Sequence, residues 1–158
     1  MELSGSSALV VGGAGGFGSA TVRRLAAAGA QVVIADMADD RGKELADQLD
    51  GRAVYVRTDV TSEESVDAAV DAATGLGPLR TTAIVHGGPT AGRRLVNREG
   101  KAYPVETFRH TIEVYLIGTF TVLSKVAAAM TRNEPLDSGQ RGVIVTTASI
   151  AGYEGQVG

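Results

Sequence analysis

Seven residues near the N-terminus, Gly12-Gly13-Ala14-Gly15-Gly16-Phe17-Gly18, constrain this chain more than any other stretch. They follow a short apolar run, Ala8 to Val11, and precede Ala20, Val22, Leu25 and Ala26, which recur at near-helical spacing up to Gly29. The spacing predicts strand, tight turn, helix. Such a turn lets backbone amides approach a pyrophosphate, and the helix N-terminus adds partial positive charge. Gly13, Gly15 and Gly18 match G-x-G-x-x-G, Gly12, Gly15 and Gly18 match G-x-x-G-x-x-G, and Gly12, Gly16 and Gly18 match G-x-x-x-G-x-G. The glycines alone therefore do not choose among dinucleotide-binding families. No lysine follows in G-x-x-x-x-G-K-[ST] spacing, which removes the P-loop reading.

The remaining chain alternates strand and helix signals. Gln31 to Asp36 is a second β-branched run, and Asp39 to Leu49 a charged helix with Leu45 and Leu49 on one face. Ala53 to Arg57 is a third strand. Thr61-Ser62-Glu63-Glu64 is a capped start for a helix carrying Val66, Ala69, Val70 and Ala73. Thr82 to His86 is a fourth strand, ending in Gly87-Gly88-Pro89. Thr90 to Ala102, with the cations Arg93, Arg94, Arg98 and Lys101, lacks a period and is expected to be a long loop. From Pro104 the positions Phe108, Ile112, Leu116, Phe120, Leu123 and Ala127 recur as the buried face of one long helix requires, ending before Pro135. Gly142 to Thr147 is a fifth strand. The expected fold is α/β, a doubly wound, Rossmann-type parallel sheet with helices on both faces, with residues 1–158 as a single dinucleotide-binding domain.

Asp36 closes the second strand, eighteen residues beyond Gly18, where a carboxylate can accept hydrogen bonds from an adenosine ribose. Its charge would repel a 2′-phosphate, so the expected cofactor is NAD. The plainer reading is an aspartate that begins a turn.

Composition narrows the partners. With 44% hydrophobic and 21% charged residues the chain has the balance of a globular protein. A net charge of −3 leaves no basic surplus for nucleic acid. No segment is read as long enough to span a bilayer, and Met1-Glu2-Leu3-Ser4 has no basic leader, so no membrane partner and a cytoplasmic location are expected. There is no cysteine, and His86 and His110 lie in different elements without companions at ligand spacing, so no metal is expected.

With Asp59-Val60 after the third strand and Thr147-Ala148-Ser149 after the fifth, the chain resembles the short-chain dehydrogenase/reductase family over essentially all its length. The resemblance implies a cofactor-binding set of Gly12, Gly16, Phe17 and Gly18 in the turn, Asp36 on the ribose, Asp59 and Val60 beside the adenine, and Gly87 and Gly88 under the cofactor. Ser149 falls on the family's catalytic serine. The Pro89 to Tyr103 loop, Leu116-Ile117-Gly118-Thr119-Phe120 and Tyr153-Glu154-Gly155-Gln156 are most similar to the type 2 3-hydroxyacyl-CoA dehydrogenase branch. That likeness implies hydride transfer between the nicotinamide and a secondary alcohol or ketone, with a 3-hydroxyacyl-CoA or a hydroxysteroid favoured. It also implies Gln156 as a substrate contact and a homodimer or homotetramer.

The chain departs from the family in three places. Val85-His86-Gly87-Gly88 stands where the family has an Asn-Asn-Ala-Gly-like stretch, and Tyr115 where the long helix carries an asparagine. The family's Tyr-x-x-x-Lys pair, whose tyrosine is the general acid/base, is not among these residues. Tyr115 and Tyr153 have Thr119 and Val157 four residues on, not lysine. The 158 residues alone are therefore expected to lack appreciable dehydrogenase activity and, with Val143-Ile144-Val145 as an uncovered edge strand, to behave poorly in solution. They read as a fragment or the ordered part of a longer product. Arg93 and Arg94 suit either the phosphates of a CoA ester or, more plainly, a solvated loop. Two function classes stay open, an oxidoreductase and a non-catalytic dinucleotide-binding protein.

Overall fold

A computed structural model describes residues 3–87 and 94–155. Five parallel strands, β1 (Ser7–Val11), β2 (Gln31–Asp36), β3 (Ala53–Arg57), β4 (Leu79–Ile84) and β5 (Val143–Thr146), lie in the order β3-β2-β1-β4-β5. β1 is central and every one of its residues is buried. Such strands need cover on both faces, which the helices supply. Leu9 and Val11 with Val33 and Ala35 pack under α3 (Glu63–Gly75) and α5 (Gly118–Met130) through Val66, Ala69, Val122 and Val126. Ala8 and Val10 with Val32 and Ile34 pack on the opposite face under α1 (Gly16–Ala27) and α2 (Asp39–Asp47) through Val22, Ala26 and Leu45. Ser62 caps α3 as expected, its Oγ accepting the Ser65 N–H. The doubly wound, Rossmann-like sheet anticipated from the alternation is thus present.

Four local features differ from the sequence reading or add to it. β4 starts at Leu79 and ends at Ile84, earlier at both ends than Thr82 to His86. Arg80, Thr81 and Thr82 masked its apolar character, yet the Ser7 amide bonds the Pro78 carbonyl and Leu79 is 1% exposed in the core. The loop before Pro104 contains an antiparallel bridge, Val96 to Ala102, closed around Asn97, whose side chain accepts the Glu99 and Lys101 amides. Arg94, Arg98 and Lys101 are exposed on it, and Arg93 lies outside the described residues. A short helix absent from the sequence reading, α6 (Ala151–Glu154), follows β5.

The long helix differs most. It runs as α4 (Val105–Ile112), a π-helical turn (Glu113–Ile117) and then α5. The stripe expected to be buried points largely outward: Phe108, Leu116 and Phe120 are 58%, 60% and 65% exposed. The sheet instead receives Val114, Gly118, Val122, Val126 and Ala129. From Val114 to Met130 the helix is apolar on most sides, so periodicity could not choose a face there; close approach to a sheet favoured the smaller residues. Gly118 shows how close that is, since a Cβ there would stand 2.7 Å from Val60 Cγ2. Val105–Met130 is also long and apolar enough, by length and composition alone, to cross a bilayer, contrary to the expectation that no segment is. Here part of its length packs on the sheet.

Candidate cofactor and active site

The strand order reverses between β1 and β4, and open α/β sheets bind ligands outside the carboxyl ends of their strands at such a point. A cavity of about 440 Å³ lies there. Val11 and Gly12 from β1, Asp36 and Met37 from β2, Asp59 and Val60 after β3, and His86 and Gly87 after β4 all contribute to its wall.

The glycine turn is built by close backbone approaches. Gly12 has φ +81°, and a Cβ on it would lie 2.5 Å from the His86 Cα. A Cβ on Gly18 would overlap the Gly12 carbonyl oxygen, and one on Gly13 would sit 2.8 Å from the Val10 oxygen. Those three are required by the fold. Gly16 differs, because a Cβ there meets nothing within 4 Å among the described residues. Gly15 caps α1 without a side-chain bond, and the Ser19 amide bonds the Gly15 oxygen. The amides of Gly16, Phe17 and Gly18 are therefore directed out of the helix N-terminus, which has no acidic residue in its first turn. The Phe17 ring is 87% exposed.

Asp36 faces this turn. Its Oδ2 accepts the Ala14 N–H at 3.0 Å and its Oδ1 accepts the Ala38 N–H at 3.0 Å. The Ala38 bond is the turn-initiating role anticipated for an aspartate at a strand end; the Ala14 bond fixes the carboxylate against the glycine turn as well. Each oxygen keeps acceptor capacity for a second donor. Asp59 is held by Thr61, whose amide and hydroxyl both donate to Oδ1, at 2.9 and 2.7 Å. Those bonds stabilise the ionised form and hold its carboxyl below the usual range. Val60 is buried beneath Gly118.

His86 is held by the π turn. Its Nε2 lies 3.0 Å from the Val114 carbonyl, which only accepts, so Nε2 carries the proton. This bond ties the end of β4 to the π turn. His86 Nδ1 is buried without a partner among the described residues. Tyr115, in that turn, brings its ring and hydroxyl close to Gly87.

Ser149 follows β5 and is exposed. Its Oγ accepts the Ala151 N–H at 3.2 Å at the start of α6, leaving its own hydrogen available to donate. Gly12, Asp36, Asp59, Val60 and Gly87 thus share one cavity. Gly16, Phe17 and Gly18 stand at the helix end, and Ser149 is not part of the cavity wall. Gly88 and Gln156 lie outside the described residues. Of His110, Glu113 and Val114, which close the cavity from α4 and the π turn, sequence reasoning weighed His110 only as a metal ligand or base and missed the other two. The polar pair three residues apart on an apolar helix was the available signal for His110 and Glu113.

The family described as short chain dehydrogenase matches residues 6–158. The 3-hydroxyacyl-CoA dehydrogenase type-2 of Drosophila melanogaster is 43% identical over 151 residues, covering 95% of this chain and 59% of that protein. The crystal structure of 3-hydroxyacyl-CoA dehydrogenase type-2 from Mycobacterium avium superposes with a TM-score of 0.93 at 54% identity, over 97% of this chain and 59% of that one. A 3-ketoacyl-(acyl-carrier-protein) reductase from Brucella melitensis, complexed with NADH, gives 0.76 at 29% identity, over 98% of this chain and 61% of that one. The chain therefore spans about three fifths of the length of these relatives.

Proposed function

The chain belongs to the short-chain dehydrogenase family, and from that premise we propose that it forms the cofactor-binding part of an NAD-dependent oxidoreductase acting on a secondary alcohol or ketone. The observation that carries the reading is the Asp36 carboxylate, pinned by the Ala14 and Ala38 amides on the cavity wall beside the N-terminus of α1. In this reading the amides of Gly16, Phe17 and Gly18 hold the pyrophosphate, Asp36 accepts from the ribose hydroxyls, Asp59 and Val60 flank the adenine, and Gly87 with Gly88 passes beneath the cofactor. Gly16 supports the fit, since the fold leaves open the space that its missing side chain vacates. Bound NAD(H) would supply the hydride acceptor or donor. Ser149 donates a hydrogen bond to the substrate oxygen, and Gln156 contacts the substrate.

The relatives' names support a 3-hydroxyacyl-CoA as substrate, with a hydroxysteroid as the alternative. The outward stripe of Phe108, Leu116 and Phe120 supports association of copies into a dimer or tetramer. A dinucleotide-binding protein without turnover is the second reading, favoured by Tyr115 at the family's asparagine position.

Calorimetric titration with NADH and NADPH tests the assignment of Asp36. NADH is expected to bind at least about tenfold tighter, because a 2′-phosphate meets the carboxylate as like charge. Asp36→Ala should narrow that ratio. Equal or tighter NADPH binding by the natural protein contradicts the role.

A further inference from the structure

At the rim of the ribose subsite stands a cation that the carboxylate of Asp36 does not explain. Arg57 closes β3 directly opposite Asp36 in the β2–β3 register. Its Nη1 donates to the carbonyl of Met37 at 3.0 Å, and Met37 forms the cavity wall next to Asp36. The same nitrogen donates to Asp39 Oδ1 at 2.9 Å. Arg57 keeps 61% of its side chain exposed, so these acceptors rather than burial hold it. The other N–H groups of the guanidinium have no partner among the described residues. A planar, always-charged fork with spare donors is the residue type that binds phosphate.

Asp39 is itself fixed from behind. The Tyr55 hydroxyl lies 2.7 Å from both Asp39 Oδ1 and the Asp36 carbonyl oxygen. The Tyr55 ring is wedged against α2, where a Cβ on Gly42 would overlap it. Tyr55 is thus a rigid post, and Asp39 Oδ1 receives both the phenol and the guanidinium. Together these bonds hold the Asp39 carboxyl below its usual range, so it carries its charge wherever the enzyme works near neutrality.

We propose that Asp39 is a second determinant of cofactor preference, holding the Arg57 guanidinium neutralised and turned from the ribose 2′ position, where it would otherwise act as a phosphate ligand. The proposal rests on the assignment of Asp36 to the adenosine ribose and extends it. Asp36 repels a 2′-phosphate directly. Asp39 removes the one compensation that the neighbouring strand offers. Without the Asp39 charge, Arg57 can leave the Met37 carbonyl and meet a phosphate bearing nearly two negative charges.

Titration of the natural protein and its Asp36→Ala, Asp39→Asn, Arg57→Gln and Asp39→Asn/Arg57→Gln variants with NADH and NADPH, at low and high salt, tests this. Asparagine keeps an acceptor oxygen for Tyr55, removes the charge and exchanges the second oxygen, Oδ2, for an amide group. Asp39→Asn is expected to improve NADPH affinity about fivefold relative to NADH, an effect of the size that exposed ion pairs produce. The gain should vanish in the double variant and shrink at high salt. A change of equal size for both cofactors would indicate a purely structural Asp39 and overturn the proposal, as would a gain that survives loss of Arg57. If Asp36→Ala leaves the preference unchanged, the ribose assignment fails and this inference falls with it. If Asp36→Ala narrows the preference and Asp39→Asn does not, the inference alone fails.

Discussion

Gly12→Ala and Gly16→Ala, two changes in one turn, are expected to fail in opposite ways. Gly12 sits at φ +81°, where an L side chain is strained, and its added Cβ would press on the His86 backbone. Neither side can give way cheaply, because β1 and β4 are hydrogen-bonded neighbours in the sheet and the His86 ring is anchored to the π turn. A loss of about 3 kcal/mol in stability is expected, with cofactor binding lost through the fold. Gly16 begins α1 with open space around it among the described residues, so alanine there should leave the unfolding free energy unchanged or raise it by up to about 1 kcal/mol. NADH affinity should nevertheless fall about tenfold or more, since the new methyl occupies space assigned to the pyrophosphate. Thermal or urea unfolding beside calorimetric titration separates the two. Full NADH affinity in Gly16→Ala would remove the pyrophosphate from that helix end.

That contrast also marks what the sequence could and could not disclose. Three glycine spacings fit the turn equally because the same residue type serves two purposes: Gly12, Gly13 and Gly18 make room for backbone, whereas Gly16 makes room for nothing among the described residues. Only coordinates separate these. β1 and β2 were legible because each holds an unbroken apolar run, Ala8 to Val11 and Val32 to Ala35, and Asp36 because it ends the second. β4 was shifted by its own threonines, Thr81 and Thr82, whose hydroxyls are buried without partners among the described residues. The outward turn of Leu116 and Phe120 was illegible for the converse reason: from Val114 to Met130 the helix carries one charge, Lys125, and little polar face to orient it. The Tyr55, Asp39 and Arg57 contacts come from side chains on different elements, which no local pattern in the chain brings together.

The largest catalytic effect is expected at Ser149. In a protein carrying these residues together with a Tyr-x-x-x-Lys pair, Ser149→Ala should lower turnover of a 3-hydroxyacyl-CoA about 10²- to 10³-fold while leaving NADH affinity nearly unchanged. The reason lies in the division of labour. Oxidising a secondary alcohol removes a proton from its oxygen and a hydride from its carbon, so one group must hold the oxygen while another takes the proton. Ser149 can donate to the oxygen, because its Oγ meets the Ala151 amide as acceptor and its hydrogen stays free. It is not also the base, and without the tyrosine and lysine the 158 residues are expected to show negligible turnover even with Ser149 intact. The competing account makes Ser149 only the cap of the turn that leads into α6, and that account forecasts something different. Loss of a cap costs about 1 kcal/mol in local stability and spares the chemistry. Steady-state kinetics with unfolding curves for Ser149→Ala and Ser149→Thr distinguish them: threonine keeps a hydroxyl and should recover part of the turnover. Turnover unchanged in Ser149→Ala would leave the residue with its capping role alone.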